Sequence, residues 1–159
     1  MKKVLFVCRG NTCRSILAES IFQKMIGTNK LNRTLKVASA GTHVEKIRAR
    51  PHENTVKIAA ENKIDVSSHY AKSINPDDLS TYDYVIGMDN KNISDIQALF
   101  HTRSYVNLYL LLDFSLQHKG MEICDPHNLN TNAYRHAYNL ILMGSIGLFK
   151  TIKPFRDLS

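Results

Sequence analysis

The sequence predicts a single α/β domain over residues 1–159, built on a parallel sheet of four strands with helices packed against it. Strand-like runs alternate with helix-like segments along the chain, which is the order typical of this class. A chain of 159 residues can bury the core of one domain, and no repeat, linker or low-complexity segment divides it. Such sheets bind ligands at the carboxyl ends of their strands, so functional residues are expected at that edge.

The first two elements are a buried strand and an amphipathic helix. Residues 4–7 are β-branched, aliphatic or aromatic, and this run ends at Cys8. After a Gly-Asn turn, apolar residues recur at helical spacing from about Ser15 to Met25. The connecting loop therefore ends at a helix N-terminus, where free backbone N–H groups and the helix dipole favour an anion.

The middle of the chain continues the alternation. Residues 35–40 alternate as a second strand, which Gly41 closes as a structural turn glycine. Pro51 suits the first turn of a second helix, which is expected to end near Asn62. Residues 64–72 look irregular or briefly extended. The apolar side of the second helix is predicted to consist of Val56, Ile58, Ala59 and Ala60.

The second half of the chain supplies two more strands and two more helices. Residues 82–89 predict the third strand, and Asp89 is the expected N-cap of the helix that follows. Residues 105–109 predict the fourth strand. The longest helix is predicted over residues 131–150, and Pro154 ends any continuation.

The loop after the first strand carries residues that suit an oxyanion site. Five residues separate Cys8 from Arg14, enough for the loop to form a ring of inward-pointing N–H groups around three phosphate oxygens. Arg14 could hold two of these oxygens as a planar fork, and Cys8 would face the phosphorus as a thiolate. Gly10 and Asn11 tolerate positive φ in such a turn, and Ser15 could donate its hydroxyl proton to the sulfur.

The spacing alone is a weak signal. Cys8 could equally be a small apolar residue that ends a strand, and the bare Cys-x5-Arg pattern favours that interpretation. Its position between a buried strand and a helix start favours the anion loop instead.

The motif Val-Cys-x-Gly-Asn-x-Cys-Arg-Ser at residues 7–15 resembles the signature of the low-molecular-weight protein tyrosine phosphatases. The resemblance covers nearly the whole chain in motif order. It implies a flavodoxin-like three-layer fold, with a four-stranded parallel sheet and helices on both faces. It also implies a loop that binds phosphate through Arg9, Gly10, Asn11, Thr12, Cys13, Arg14 and Ser15.

The resemblance also implies the remaining catalytic parts. Asp125 and Pro126 are similar to the family's Asp-Pro loop, which carries the general acid. Cys8 would then be the nucleophile and Arg14 the phosphate clamp, with Asp125 protonating the leaving oxygen and later activating water. His69 matches a family histidine, so it is expected to contact Asn11 and Ser15 beneath the loop. This chemistry needs neither a metal nor another cofactor.

The chain departs from the family pattern at two places near the site. Family members often carry an aromatic residue in the loop that corresponds to residues 43–50, and none is present there. The family usually has tyrosine after Asp-Pro, whereas this chain has His127 and Asn128. Both departures predict a more polar pocket, which concerns the preference for aryl substrates and leaves the phosphate chemistry unchanged.

Cys13 matches the family's neighbouring cysteine, which suggests reversible redox regulation. A disulfide with Cys8 would block the nucleophile and protect it from further oxidation. The alternative is that Cys13 is simply a small loop residue.

Composition narrows the compartment and the partners. Three cysteines, an odd number, do not suggest a secreted disulfide framework, and the apolar run after Met1 is too short for a signal peptide, so we expect a cytoplasmic protein. The net charge of +7 favours phosphorylated protein substrates. Because the basic residues are scattered, we expect no nucleic-acid partner, and no stretch is long enough to span a membrane. We expect inorganic phosphate as the product and a monomer or weak homodimer.

Three other functions are compatible with parts of the pattern. An arsenate reductase would share the fold and anion loop, but no cysteine lies between Cys13 and Cys124 to relay a disulfide. A module that binds phosphoproteins without turnover would not need Asp125. A zinc site could be assembled on paper from Cys8, Cys13, Cys124 and His127, although the arginines beside the first two favour an anion.

Overall fold

The computed structural model describes residues 1–100 and 107–153. Its sheet contains four parallel strands in the order β2-β1-β3-β4. The strands are β1 (Lys2–Cys8), β2 (Leu35–Gly41), β3 (Tyr84–Gly87) and β4 (Leu108–Leu110). The helices are α1 (Arg14–Thr28), α2 (Glu53–Glu61), α3 (Asn90–Ala98) and α4 (Thr131–Ile152), with short 3₁₀ helices at Pro76–Thr81 and Leu111–Phe114.

Alternating side chains of β1 enter two different cores, which makes the fold three-layered. Val4 and Phe6 pack in the larger core with residues of α1 and α4. Leu5 and Val7 pack in a smaller core with Ile96 of α3. This alternation is the period-two pattern of a strand buried on both faces. The predicted α/β class, the parallel sheet and the helices on both faces are confirmed.

The strand order places the site at the middle of the sheet. β1 pairs with β2 on one side and with β3 on the other. The chain therefore runs from β1 to β2 in one direction and then crosses back over β1 to reach β3 on its other side. Such a switch point leaves a crevice at the carboxyl ends of the strands. Cys8 and Gly41 lie opposite each other in the register at this edge, and Asp89 follows β3 there.

Several boundaries differ from the sequence prediction for identifiable reasons. Pro51 precedes α2 instead of forming its first turn, because the side chain of His52 accepts a hydrogen bond from Asn54 N and caps the helix. Val56 and Ala60 are exposed, contrary to the prediction, since α2 buries only Thr55, Ile58 and Ala59. The 3₁₀ helix at Pro76–Thr81 was missed because a single buried apolar side chain, that of Leu79, shows no apolar period.

Other sequence predictions agree with the structure or lie outside it. Asp89 caps α3 in a full capping box, as predicted. Residues 64–70 are irregular, as expected. The start of the predicted fourth strand and the predicted stop at Pro154 lie outside the described residues. In residues 1–100 and 107–153, every helix is too short or too polar to cross a membrane.

Candidate active site

The loop between β1 and α1 is shaped by one left-handed residue. Asn11 has a φ of 54°, a conformation that asparagine tolerates better than most side chains. Gly10, by contrast, does not have positive φ, and an added Cβ there would meet only Thr12 Oγ1 at 3.7 Å. The expectation that both residues use positive φ is therefore wrong for Gly10.

The buried side chain of Asn11 holds the loop to its surroundings. Its Nδ2 donates to Ser15 Oγ at 2.8 Å and to Ser39 Oγ at 3.0 Å, and its Oδ1 accepts from the backbone N–H of Lys72 at 3.0 Å. Ser39 in turn donates to the Glu19 carboxylate. One neighbouring residue and two segments distant in sequence thus determine the position of Asn11.

Cys8 lies at the floor of the loop, where Ser15 is its hydrogen-bond partner. The Cys8 side chain is 3% exposed, and its Sγ is 3.0 Å from Ser15 Oγ. Because Asn11 already donates to that oxygen, the Ser15 hydroxyl proton is available for the sulfur. The hydroxyl group thus places a polar donor against the sulfur at the floor of the loop.

Arg14 opens α1 and is almost fully buried among acceptors. Its Nη1 donates to Asp89 Oδ2 at 2.6 Å and to the Ile123 carbonyl at 2.8 Å, and its Nη2 is 3.4 Å from Asp125 Oδ2. Burial opposes the charge, but Cys8 and the two carboxylates outweigh it and raise the pKa of the guanidinium. Arg14 therefore stays charged and fixed in orientation.

Asp125 approaches the loop from the far end of the chain. Its side chain is 39% exposed, and Oδ1 accepts the backbone N–H of His127 at 3.1 Å. The carboxyl group is thus both held near Arg14 and open to solvent, as a group that exchanges protons must be.

The side chains of Cys13 and His69 are less exposed than that of Asp125. Burial raises the pKa of the Cys13 thiol to about 12. The His69 Nε2 is 3.2 Å from the Asn11 carbonyl oxygen and its Nδ1 is 3.7 Å from the Glu19 carboxylate. Burial lowers the pKa of His69, against the opposing effects of Glu19 and the Asn11 carbonyl. His69 thus contacts Asn11 as expected, whereas the described hydrogen bonds of the Ser15 hydroxyl go to Asn11 and Cys8 and not to His69.

One cavity of about 280 Å³ is lined by residues from distant parts of the chain. Cys8, Arg14 and Asp125 all line it, although 117 positions separate the first from the last. Its other lining residues are Arg9, Gly10, Thr12, Cys13, His43, Glu45, Lys46, Ala49, Arg50, His52 and His127. Asn11 and Ser15 are buried outside this lining, and His69 lines a second, wider groove.

Several functional contacts were not predicted. The sequence analysis assigned Asp89 to the N-cap of α3, and the structure shows that it also forms an ion pair with Arg14. Ser39 and Glu19 were not assigned to the network below the loop. The Ile123 carbonyl carries no sequence signal at all, because a backbone acceptor is available at every residue.

The proposed zinc alternative finds no support in the geometry. Among residues 1–100 and 107–153, no group of three or more His, Cys, Asp or Glu side chains could hold a metal ion. All three cysteines of the chain fall in these ranges and carry free thiols; Cys8 and Cys13 are buried, whereas Cys124 is exposed.

Comparison with known proteins agrees with the fold and the loop. A family model described as "Low molecular weight phosphotyrosine protein phosphatase" matches residues 3–156. The low molecular weight protein-tyrosine-phosphatase YfkJ of Bacillus subtilis is 31% identical over 158 residues, 99% of this chain and 100% of that protein. The human low molecular weight phosphotyrosine protein phosphatase is 36% identical over 139 residues, 86% of this chain and 87% of that one.

The fold is also shared with a solved relative. The crystal structure of YfkJ superposes with a TM-score of 0.89, covering 96% of this chain and 95% of the other at 31% identity. The family model covers nearly the full sequence, and the parallel sheet of four strands that the resemblance implies is present. The chain therefore belongs to the low molecular weight phosphotyrosine protein phosphatase family.

Proposed function

We propose that this protein hydrolyses phosphotyrosine in proteins through a phosphocysteine intermediate. The observation that carries the proposal is the joint lining of one cavity by Cys8, Arg14 and Asp125. Family membership supports phosphorylated proteins as the substrate class. In this proposal residues 1–159 act as one domain, and each of the three side chains has a separate task.

In the first step, the Cys8 thiolate attacks phosphorus and forms the S–P bond as the P–O bond to the leaving group breaks. Asp125, protonated at this stage, gives its proton to the leaving phenolic oxygen. Arg14 and the N–H groups of the loop hold the three non-bridging oxygens, where negative charge accumulates in the transition state. The products of this step are the free tyrosine hydroxyl and phosphocysteine.

In the second step, water replaces the sulfur. The Asp125 carboxylate removes a proton from water as the oxygen attacks phosphorus, and the S–P bond breaks to return the thiolate. Inorganic phosphate leaves the cavity. Neither step transfers an electron, and Arg14 with the loop N–H groups supplies the positive field that the phosphoryl group requires, so the mechanism calls for no cofactor.

The network beneath the loop keeps the nucleophile ready for attack. The Ser15 hydroxyl stabilises the negative sulfur, and Asn11 orients that hydroxyl. Asp89 and the Ile123 carbonyl hold the guanidinium plane before substrate arrives. We assign these residues, with His69, a positioning role.

Two substitutions test the roles directly. Cys8→Ser should abolish hydrolysis of para-nitrophenyl phosphate while it keeps phosphate binding, and Asp125→Asn should lower kcat by about 10²–10⁴-fold. Cys124→Ser and Asp77→Asn are matched controls, since both side chains are exposed and lie outside the cavity lining. Full activity in Cys8→Ser would refute the mechanism.

The same preparations separate the rival functions. An arsenate reductase would reduce arsenate with a thiol donor and hydrolyse phosphate esters poorly. A binding module would retain phosphopeptides without turnover in the wild-type protein. We expect turnover of the ester by the wild-type protein and no arsenate reduction.

We also propose that Cys13 protects the nucleophile during oxidation. Peroxide would convert the Cys8 thiolate to a sulfenic acid, and the Cys13 thiol would displace water to form a disulfide. Because burial raises the pKa of Cys13 to about 12, this second step should be slow near neutral pH. Dithiol should restore the wild-type enzyme after mild peroxide better than it restores Cys13→Ser, and equal recovery would remove the role.

The finer statements on partners and compartment are also proposals. A thiolate nucleophile works only when it is reduced, which favours the cytoplasm. We propose a monomer or weak homodimer without nucleic-acid or membrane partners. Sedimentation across a concentration series tests the oligomeric state.

A further inference from the structure

The outer part of the cavity is lined by charged and imidazole side chains. We call this part the mouth and define it by six lining residues: Arg9, His43, Glu45, Lys46, Arg50 and His127. Among the described residues that line the cavity, none is Phe, Tyr or Trp. The mouth therefore offers no aromatic side chain of these three kinds to a substrate, and its charged side chains are the groups that can select what binds.

Positive charge is in excess at the mouth. The mouth contains three permanent cations, Arg9, Lys46 and Arg50, but only one carboxylate, that of Glu45. Arg14 and Asp125, deeper in the cavity, already pair with each other. In the part of the chain that the structure describes, the side chains of Arg9 and Lys46 are exposed and form no ion pair, so their charges remain available to a ligand.

The segment that carries Lys46 is fixed at both ends. The backbone N–H of His43 donates to the Arg9 carbonyl at 2.8 Å, and that of His52 donates to the Thr12 carbonyl at 3.0 Å. Between them, Arg48 N–H donates to the Ala71 carbonyl at 2.8 Å. The loop of the anion site itself anchors this segment, so the cations of the mouth stand at a defined place beside the phosphate position.

Arg50 is held by its neighbours in an outward position. Its guanidinium donates to the Ser67 carbonyl and lies 4.6 Å from the centre of the Tyr70 ring, with Arg48 5.0 Å from the same ring. These contacts order the arginine without neutralising it. Arg50 therefore adds to the positive potential of the mouth, whereas Lys46 is the cation most open to contact by a flanking group.

We propose that the mouth selects phosphotyrosine that lies within an acidic stretch of a protein, by pairing flanking carboxylates with Lys46, Arg9 and Arg50. This inference rests on the proposed phosphatase function, since the phosphotyrosine must enter the anion loop first. Because no Phe, Tyr or Trp lines the cavity, the mouth would hold the peptide through charged groups. The net charge of +7 acts in the same direction, by steering acidic substrates toward the protein.

Two phosphopeptides that differ only in charge test the inference. Both carry the same phosphotyrosine, flanked by Glu in one peptide and by Gln in the other. The wild-type kcat/KM should be about 3–10-fold higher for the Glu peptide at low ionic strength, and this ratio should fall as salt screens the mouth. Para-nitrophenyl phosphate, which has no flanking groups, reports the basal activity.

Variants of the mouth assign the effect to named residues. Lys46→Glu should bring the ratio of the two peptides to about one or below, and because each variant's ratio compares two substrates of the same enzyme, a general loss of activity does not change it. Glu45→Gln should raise the ratio, because it removes the opposing carboxylate. Lys36→Glu is the matched control: Lys36 is exposed on β2 outside the cavity lining, and its reversal makes the same change in net charge.

The outcomes distinguish the inference from the function on which it rests. If the wild-type protein hydrolyses neither peptide nor para-nitrophenyl phosphate, the proposed function fails and the inference fails with it. If all three are hydrolysed but the two peptides react equally, only the inference fails. An equal loss of preference in Lys46→Glu and Lys36→Glu would also overturn it, because the preference would then come from net charge and not from the mouth.

Discussion

The floor and the mouth of the cavity are built on opposite principles. At the floor, Asn11, Arg14 and Ser15 are buried, and their polar side chains have partners within the protein. At the mouth, Arg9 and Lys46 are exposed and carry no ion pair within the described residues. Removing one partner of a buried polar group lowers the free energy of unfolding considerably, whereas changing an exposed charge alters it little. The chemistry is therefore tied to the fold, and substrate preference is not.

Among changes at the floor, the largest effect on kcat is expected from substitution of Arg14. Arg14→Lys keeps the charge but loses the planar fork that contacts Asp89, Asp125 and the Ile123 carbonyl. We expect kcat for para-nitrophenyl phosphate to fall by about 10²–10³-fold. The control is Arg135→Lys, which changes an exposed ion pair with Glu61 at 2.8 Å and should leave kcat unaltered. Equal kinetics in both variants would show that the fork is not used.

A second test compares two asparagines in the left-handed region. Asn11 (φ 54°) is buried with a hydrogen-bonded side chain, whereas Asn128 (φ 63°) is exposed. Asn11→Ala should lower the free energy of unfolding by about 2–4 kcal/mol, because it adds backbone strain to lost buried hydrogen bonds. Asn128→Ala carries only the strain and should lose about 1 kcal/mol. Denaturant unfolding measures both, and similar losses would contradict the structural role of the Asn11 amide.

A third test uses two glycines to sharpen the contrast in packing. A Cβ on Gly41 would lie 2.7 Å from the Arg9 carbonyl oxygen and 3.1 Å from Asn11 N, so the anion loop would have to move. Gly41→Ala should therefore lower kcat by about tenfold and stability by about 1–3 kcal/mol. Gly27, in α1, has nothing within 4 Å of the corresponding position, and Gly27→Ala should stabilise the protein by up to about 1 kcal/mol.

The smallest expected effect is a pH dependence of the protein's stability that arises from His69, which contacts Asn11 beneath the anion loop. Burial lowers the pKa of His69 in the folded protein, so the unfolded chain binds its proton more readily. Stability from this group is complete above the ordinary histidine pKa of about 6.5 and is lost as the pH falls through the lower folded value. The Tm of the wild-type protein should thus decline below that pH.

The histidine can be identified by substitution. The decline in Tm below neutral pH should be shallower in His69→Gln than in the wild-type protein, and unchanged in His136→Gln, whose side chain is exposed on α4. A steeper decline in His69→Gln would mean that protonation of His69 stabilises the fold, contrary to this expectation.

Features that depend on near neighbours in the chain were predictable from the sequence. The strand before Cys8, the helix after Ser15 and the cap at Asp89 each follow from periodicity or a local hydrogen bond. The edge that gathers Cys8, Gly41 and Asp89 followed from the parallel order of the strands.

The features that could not be predicted depend on residues far apart in the sequence. The ion pair of Arg14 with Asp89 spans 75 positions, and a cap and an ion-pair partner look the same in sequence. The hydrogen bond from Asn11 to Ser39 likewise joins the anion loop to strand β2, which only the folded sheet brings together. Val56 was misplaced because helical periodicity identifies an apolar side but not how much of it a neighbour will cover.

The hydrogen bond from Arg14 to the Ile123 carbonyl, 109 positions later, also bears on how the protein is made. During translation, the segment with Cys8 leaves the ribosome long before the segment with Asp125 has been synthesised. Contacts of such large sequence separation form late, and a domain of this kind folds as a unit. The nascent chain would therefore carry its reactive cysteine in an inactive form until the segment with Ile123 and Asp125 has been synthesised.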